Sequence, residues 1–222
     1  MDELTSQEIA IFMRRISLFL IFLLFSKICY AETSLWKVSK DGQYLFLGGT
    51  IHVLSESDYP LPDDYDRAYS QAQKIVFETD VAKVSEPSFQ KKMQALVTYS
   101  DGSTLQSALN KATYAKLEKY CAAINLPIAT LQDLKPIMVA ITLTVMELQR
   151  LGMGEEGVDH FYNSRAIRDH KTLGELETAE DQLSFIVNMG KGQENELIEQ
   201  TISEIKELPV LMNEMKAAWR IR

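Results

Sequence analysis

The chain has 222 residues, 46% of them hydrophobic and 24% charged, and few glycines or prolines. That balance belongs to an ordinary globular protein and excludes disordered and fibrous classes. A net charge of −8 and a pI near 5.0 argue against nucleic acid or an anionic membrane surface as the main partner.

The first segment is read as a secretory signal. Arg14 and Arg15 precede a largely apolar run from Ile16 to Phe25, and a short polar stretch then ends at Cys29-Tyr30-Ala31. Cleavage is expected after Ala31, with translation starting at Met13, because the residues before it resemble no part of a signal. The apolar run is shorter than the roughly 20 residues that a membrane-spanning helix needs. An uncleaved anchor is the alternative; the reading taken is residues 1–31 as signal peptide and no transmembrane anchor after cleavage. Residues 32–222 then form one domain in the periplasm, in the cell envelope or outside the cell. The removed segment carries three acids and three bases, so the charge is unchanged. Only Cys121 remains, which rules out an internal disulfide.

Two alternating runs, SLWKVSK and QYLFLGG, flank Asp41-Gly42, a strong hairpin signal. A helix follows from Pro62, with acids in its first turn. KIVFETD reads as a strand ending at Glu78. Beyond it the chain turns helical in PSFQKKMQALVTY, KATYAKLEKYCAAI and PIMVAITLTVMELQRLG, then GVDHFYNSRAIRDHK. TLGEL is a short strand, Thr178 and Asp181 form a capping box for the next helix, and an acidic amphipathic helix runs from about Gln193. The fold class expected is α/β (α+β), a mixed β-sheet covered by several helices. Its middle and C-terminal parts are helix-rich, and four strands are too few for a sheet so covered, so the sheet is expected to be incomplete.

No phosphate-loop, serine-hydrolase elbow, zincin or C-x-x-C motif is present. The candidate chemistry lies at two strand ends. His52 follows the first and Glu78 closes the next, so adjacent parallel strands would bring imidazole and carboxylate together. Gly48 and Gly49 permit close backbone approach there. Such a pair is a partial shell for a divalent ion or an acid/base pair. By residue type alone, a turn histidine and a solvated or salt-bridged carboxylate is the commoner arrangement.

Residues 34 to 80 resemble the opening of the TraB/GumN family, which includes the Tiki metalloproteases and the pheromone-shutdown proteins. The resemblance lies in L-W-K-V, in L-x-G-T-x-H with its Gly-x-x-His at Gly49 to His52, in Y-P-L-P and in V-F-E ending at Glu78. LKPIMVA, GVDHFYNSRA and LGELETAEDQL are similar to later segments of the same family. The resemblance implies a secreted or envelope metal-dependent hydrolase, a peptidase by preference, acting on a peptide or protein. It implies His52 and Glu78 as ligands or catalytic groups for a divalent ion (Mn, Co or Zn). Gly49, Asp159 and Glu177 are carried as supporting positions, although Asp159 also reads as a first-turn acid and Glu177 as the residue before a cap. The family's second Gly-x-x-His lies beyond this sequence, and His160 and His170 stand outside any such motif. The expectation is therefore a C-terminally truncated domain with impaired activity. A non-catalytic envelope protein that handles polysaccharide or peptide signals is the alternative.

Overall fold

A computed structural model describes residues 34–154 and 156–220; the signal segment read at 1–31 lies outside the described residues. Strands β1 (Leu35–Lys40) and β2 (Gln43–Gly48) form an antiparallel hairpin that pairs Trp36 with Leu47 and Val38 with Leu45. Asp41 and Gly42 turn it with φ of 50° and 77°, the positive values that a two-residue hairpin turn demands. Lys37 lies 3.9 Å from the centre of the Tyr44 ring on one face. Val38, Leu45 and Leu47 stay exposed on the other. Strands β3 (Lys74–Phe77) and β4 (Thr172–Glu175) pair in parallel, with Val76 opposite Gly174.

The four strands thus make two separate pairs among the described residues, a small and incomplete sheet within a largely helical domain. The expected side-by-side placement of β2 and β3 is not found. After Gly49 the chain leaves the hairpin, and its Ile51 and Leu54 carbonyls accept hydrogen bonds from Val158 and Gly154, at 3.0 and 2.8 Å. The parallel partner of β3 instead arrives after a helical crossover about a hundred residues later.

Nine helices were found among the described residues. Helix α1 (Asp63–Gln71) follows Pro62 and buries Tyr65, Ala68 and Tyr69. Helix α2 (Val81–Val84) is one turn, capped by the Asp80 carboxylate on the Ala82 and Lys83 amides. Helix α3 (Pro87–Val97) starts on proline, which has no amide hydrogen to leave unpaired. Helix α4 (Leu105–Ala108) is again one turn, and Asn110 caps α5 (Lys111–Ala123). Helix α6 (Pro136–Arg150) ends before Gly152, whose φ of 76° breaks the helix. Helices α7 (Val158–Arg168) and α8 (Ala179–Asn188) follow, α8 opened by the Thr178–Asp181 capping box. The last, α9, runs from Glu194 to Arg220. The one-turn helices α2 and α4 and the 3₁₀ turns at 56–58 and 128–131 are too short to show a periodicity in sequence.

Two larger apolar clusters organise the domain. Leu117 and Cys121 of α5, Val139 and Leu143 of α6, and Ile198 and Ile205 of α9 fill a helical core. Burial pushes the Cys121 thiol pKa up, so it acts as a small apolar filler. The second cluster gathers Ile51, Leu54, Tyr65, Phe77, Val158 and Trp219 beneath the His52 segment. Helix α9 enters both, the helical core near its start and the His52 side with Met212 and Trp219 near its end. No helix among the described residues is long and apolar enough to cross a membrane. Leu117 is completely buried, so Leu117→Ala should cost about 2–5 kcal/mol. A denaturant titration checks this; a loss under about 1 kcal/mol would mean the helical core is not packed as described.

Candidate functional site

The site is built on the segment Gly49-Thr50-Ile51-His52-Val53-Leu54. Ile51 and Leu54 are buried at 5% and 2% exposure and act as anchors. His52, between them, points outward with 66% of its side chain exposed. Two apolar anchors three residues apart hold the backbone and leave the imidazole at the surface.

The Gly-Val-Asp at the start of α7 meets this segment, each residue in a different way. A Cβ on Gly157 would lie 2.2 Å from both the carbonyl carbon and oxygen of His52, far inside any allowed contact, so only glycine fits. Val158 donates its amide to the Ile51 carbonyl and is itself buried. Asp159, one residue on, brings its Oδ2 to 2.7 Å from His52 Nδ1, with its own side chain only 12% exposed. With the carboxylate accepting from Nδ1–H, the neutral ring keeps Nε2 as its free acceptor.

Electrostatics follow from that contact. The hydrogen bond to Asp159 raises the His52 pKa above 6.5, against the opposing effect of burial, and the charges of Asp159 and Glu78 add to the rise. Burial alone would raise the Asp159 pKa. The His52 hydrogen bond and charge, together with the Thr50 hydroxyl, outweigh it, and the net value falls below 3.8.

Glu78 stands on the other side of the ring, its Oε2 4.0 Å from Nε2 and its side chain 56% exposed. Its backbone is fixed by a continuation of the β3–β4 ladder: Leu176 donates to the Phe77 carbonyl and Glu177 to the Glu78 carbonyl, each at 3.0 Å. Beside it, the buried Thr79 hydroxyl has no hydrogen-bond partner. His52, Glu78 and Asp159 are therefore brought together, in the order carboxylate, imidazole, carboxylate. Glu177 enters through its backbone. Gly49 lies away from the ring, its amide donating to the Ser34 carbonyl at 2.8 Å and its carbonyl accepting from the indole of Trp219 at 2.6 Å. His160 is exposed on α7 and His170 follows that helix with φ of 54°.

Sequence reasoning missed Gly157, Thr50 and Trp219. Thr50 had a signal, since residues two apart in extended chain share a side. Trp219 had none, because its partner lies 170 residues away.

Among the described residues, no group of three or more His, Cys, Asp or Glu side chains is arranged to hold a metal ion. An imidazole nitrogen and a carboxylate oxygen suit a divalent ion by type. Ligands about 2.1 Å from a tetrahedral ion stand roughly 3.4 Å apart, so the 4.0 Å gap needs only a small closure. The number of donors is two, one short of the three usual at a catalytic zinc. The fit is thus right in chemistry and partial in count.

Because the His52 pKa is raised on folding, its stabilising effect is complete below 6.5 and is lost as pH rises through the folded value. The Asp159 effect is complete above 3.8 and is lost as pH falls through its depressed value. In an NMR titration, the His52 ring should therefore titrate above 6.5, and Asp159→Asn should lower that midpoint. An unchanged midpoint would show that the two side chains are not paired in solution.

The TraB/PrgY/gumN family model matches residues 34–221. The uncharacterized protein YbaP of Escherichia coli (strain K12) is 23% identical over 180 residues, 80% of this chain and 64% of that protein. The chain thus spans just under two thirds of this relative's length, and no solved structure matches. With the match extending over nearly all the described residues, and the Gly-x-x-His, V-F-E and Gly-Val-Asp segments converging on one site, the chain belongs to the TraB/PrgY/gumN family.

Proposed function

We propose that this protein is a metal-dependent hydrolase of the secreted or envelope compartment, with a peptide or protein as substrate. The observation that carries the reading is the bond between His52 Nδ1 and a nearly buried Asp159. It leaves Nε2 exposed and facing Glu78. A carboxylate behind a histidine, fixing its tautomer and ring direction, is the support that metal-ligating imidazoles ordinarily have.

His52 Nε2 and Glu78 Oε2 would hold the ion, which when bound supplies Lewis acidity toward the substrate carbonyl. Asp159 orients the ring and favours a positive charge on it. Glu78, half exposed at the edge of the site, is a ligand or the base that takes the proton from the attacking water. The proton and the ion compete for Nε2, so both ion binding and turnover should rise as pH passes upward through the His52 pKa.

The open position of the site and its two donors also favour a second reading, a non-catalytic envelope protein that binds peptide or polysaccharide. Calorimetry with Mn²⁺, Co²⁺ and Zn²⁺ separates the two, since only the hydrolase requires an ion.

Against a peptide library with each ion, His52→Ala should abolish cleavage and Glu78→Gln should reduce it by about 10²–10⁴-fold. Asp159→Asn should weaken ion affinity or turnover by about 10–100-fold. Cleavage by His52→Ala at the wild-type rate would overturn the mechanism. Compartment is checked by N-terminal sequencing of protein exported by an expressing cell. A mature chain starting at Glu32 is expected, and retention of the whole leader inside the cell would refute it.

A further inference from the structure

The segment that presents His52 is gripped at a second place, by residues other than Asp159. The last two turns of α9 lie against it, and three of their side chains bond to it. Trp219 donates its indole N–H to the Gly49 carbonyl at 2.6 Å, three residues before His52. Lys216 Nζ reaches Asp58 Oδ2 at 2.9 Å, six residues after it, with only 16% and 10% of the two side chains exposed. Arg220 donates to the Asp58 carbonyl. The backbone joins in, because the Ser34 amide donates to the Trp219 carbonyl at 3.0 Å.

These contacts are polar and partly buried, and they fall on both flanks of the histidine. Asp58 is also bonded to the Ser55 amide and hydroxyl, at 2.8 and 2.6 Å, which closes the turn that follows Leu54. Packing alone would need none of these directional bonds. The stretch from Gly49 to Asp58 contains no helix or strand beyond a single 3₁₀ turn, so its position is set by such attachments rather than by a ladder.

We infer that Trp219 and Lys216 are positioning residues: the end of α9 is a two-point clasp that sets the height and direction of His52 over Glu78. The functional importance of the clasp rests on the hydrolase reading above, but its existence does not. Trp219 and Lys216 touch no reacting atom and act through the backbone at Gly49 and the turn at Asp58. A helix anchored at its other end in the helical core thereby fixes a loop that has little regular structure of its own.

The experiment compares wild type with Trp219→Phe, which keeps an aromatic ring and removes the indole N–H, and with Lys216→Met, which keeps the stem and removes the charge. Hydrogen exchange is followed at the Gly154 and Val158 amides, which close onto Leu54 and Ile51, and at Val139 in the helical core as reference. Each variant should speed exchange at Gly154 and Val158 about tenfold or more while leaving Val139 within twofold, and Lys216→Arg should restore the wild-type rates. Co²⁺ affinity is measured in parallel and should fall about fivefold in both variants. Unchanged exchange at Gly154 and Val158, or an equal acceleration at Val139, would overturn the clasp. If the exchange pattern holds while wild type itself binds no Co²⁺, the clasp stands and the metal-dependent reading fails.

Discussion

The site depends on one steric condition, the approach of the backbone at Gly157 to the backbone of His52. Any side chain at 157 would occupy the space of the His52 carbonyl. Because none is there, the Val158 amide can reach the Ile51 carbonyl, and the first turn of α7 is seated on the loop. Asp159 then points at Nδ1 with no further adjustment. The hydrogen bond, the raised histidine pKa and the free Nε2 all follow from a missing methyl group.

Burial places the two carboxylates in different environments. Asp159 is nearly enclosed and hydrogen-bonded to the imidazole, a contact that favours the charged form of each partner. Glu78 stands more than half exposed, its Oε2 4.0 Å from Nε2 of the ring. One carboxylate holds the ring; the other faces what the ring faces. Two carboxylates are thus separated by their surroundings, one enclosed and one open to solvent.

Helix α9 ties these features to the remainder of the domain. Its first half supplies Ile198 and Ile205 to the helical core and its second half supplies Met212 and Trp219 to the cluster under His52. The helix, with Pro209 in its interior, therefore reaches both hydrophobic clusters, and the loop with the histidine is placed relative to both. The exposed apolar face of the hairpin, with Val38, Leu45 and Leu47 uncovered, contrasts with this well-fixed region. The hairpin is held by its own ladder; the site is held by side chains from distant parts of the chain.

Local structure was legible because local physics determines it. Asp41-Gly42 specified the hairpin turn, Pro62, Pro87 and Pro136 marked helix starts, Gly152 marked an end, and Thr178 with Asp181 fixed a cap. The resemblance of ordered segments pointed to the family and to His52 and Glu78. The strand neighbours were not legible, since the sequence suggested β2 beside β3 and the structure pairs β3 with β4. Strand pairing is decided by contacts between residues a hundred positions apart, and no short motif encodes them. The same holds for Asp159, which reads equally well as a first-turn acid until its distance to His52 is known, and for Trp219, whose partner is a backbone carbonyl. The sequence by itself determined the longer elements and pointed to two groups of the candidate site. Tertiary structure alone decided that a third group completes the line, because hydrogen bonds and steric exclusion act through space, and proximity in space is not written in local order.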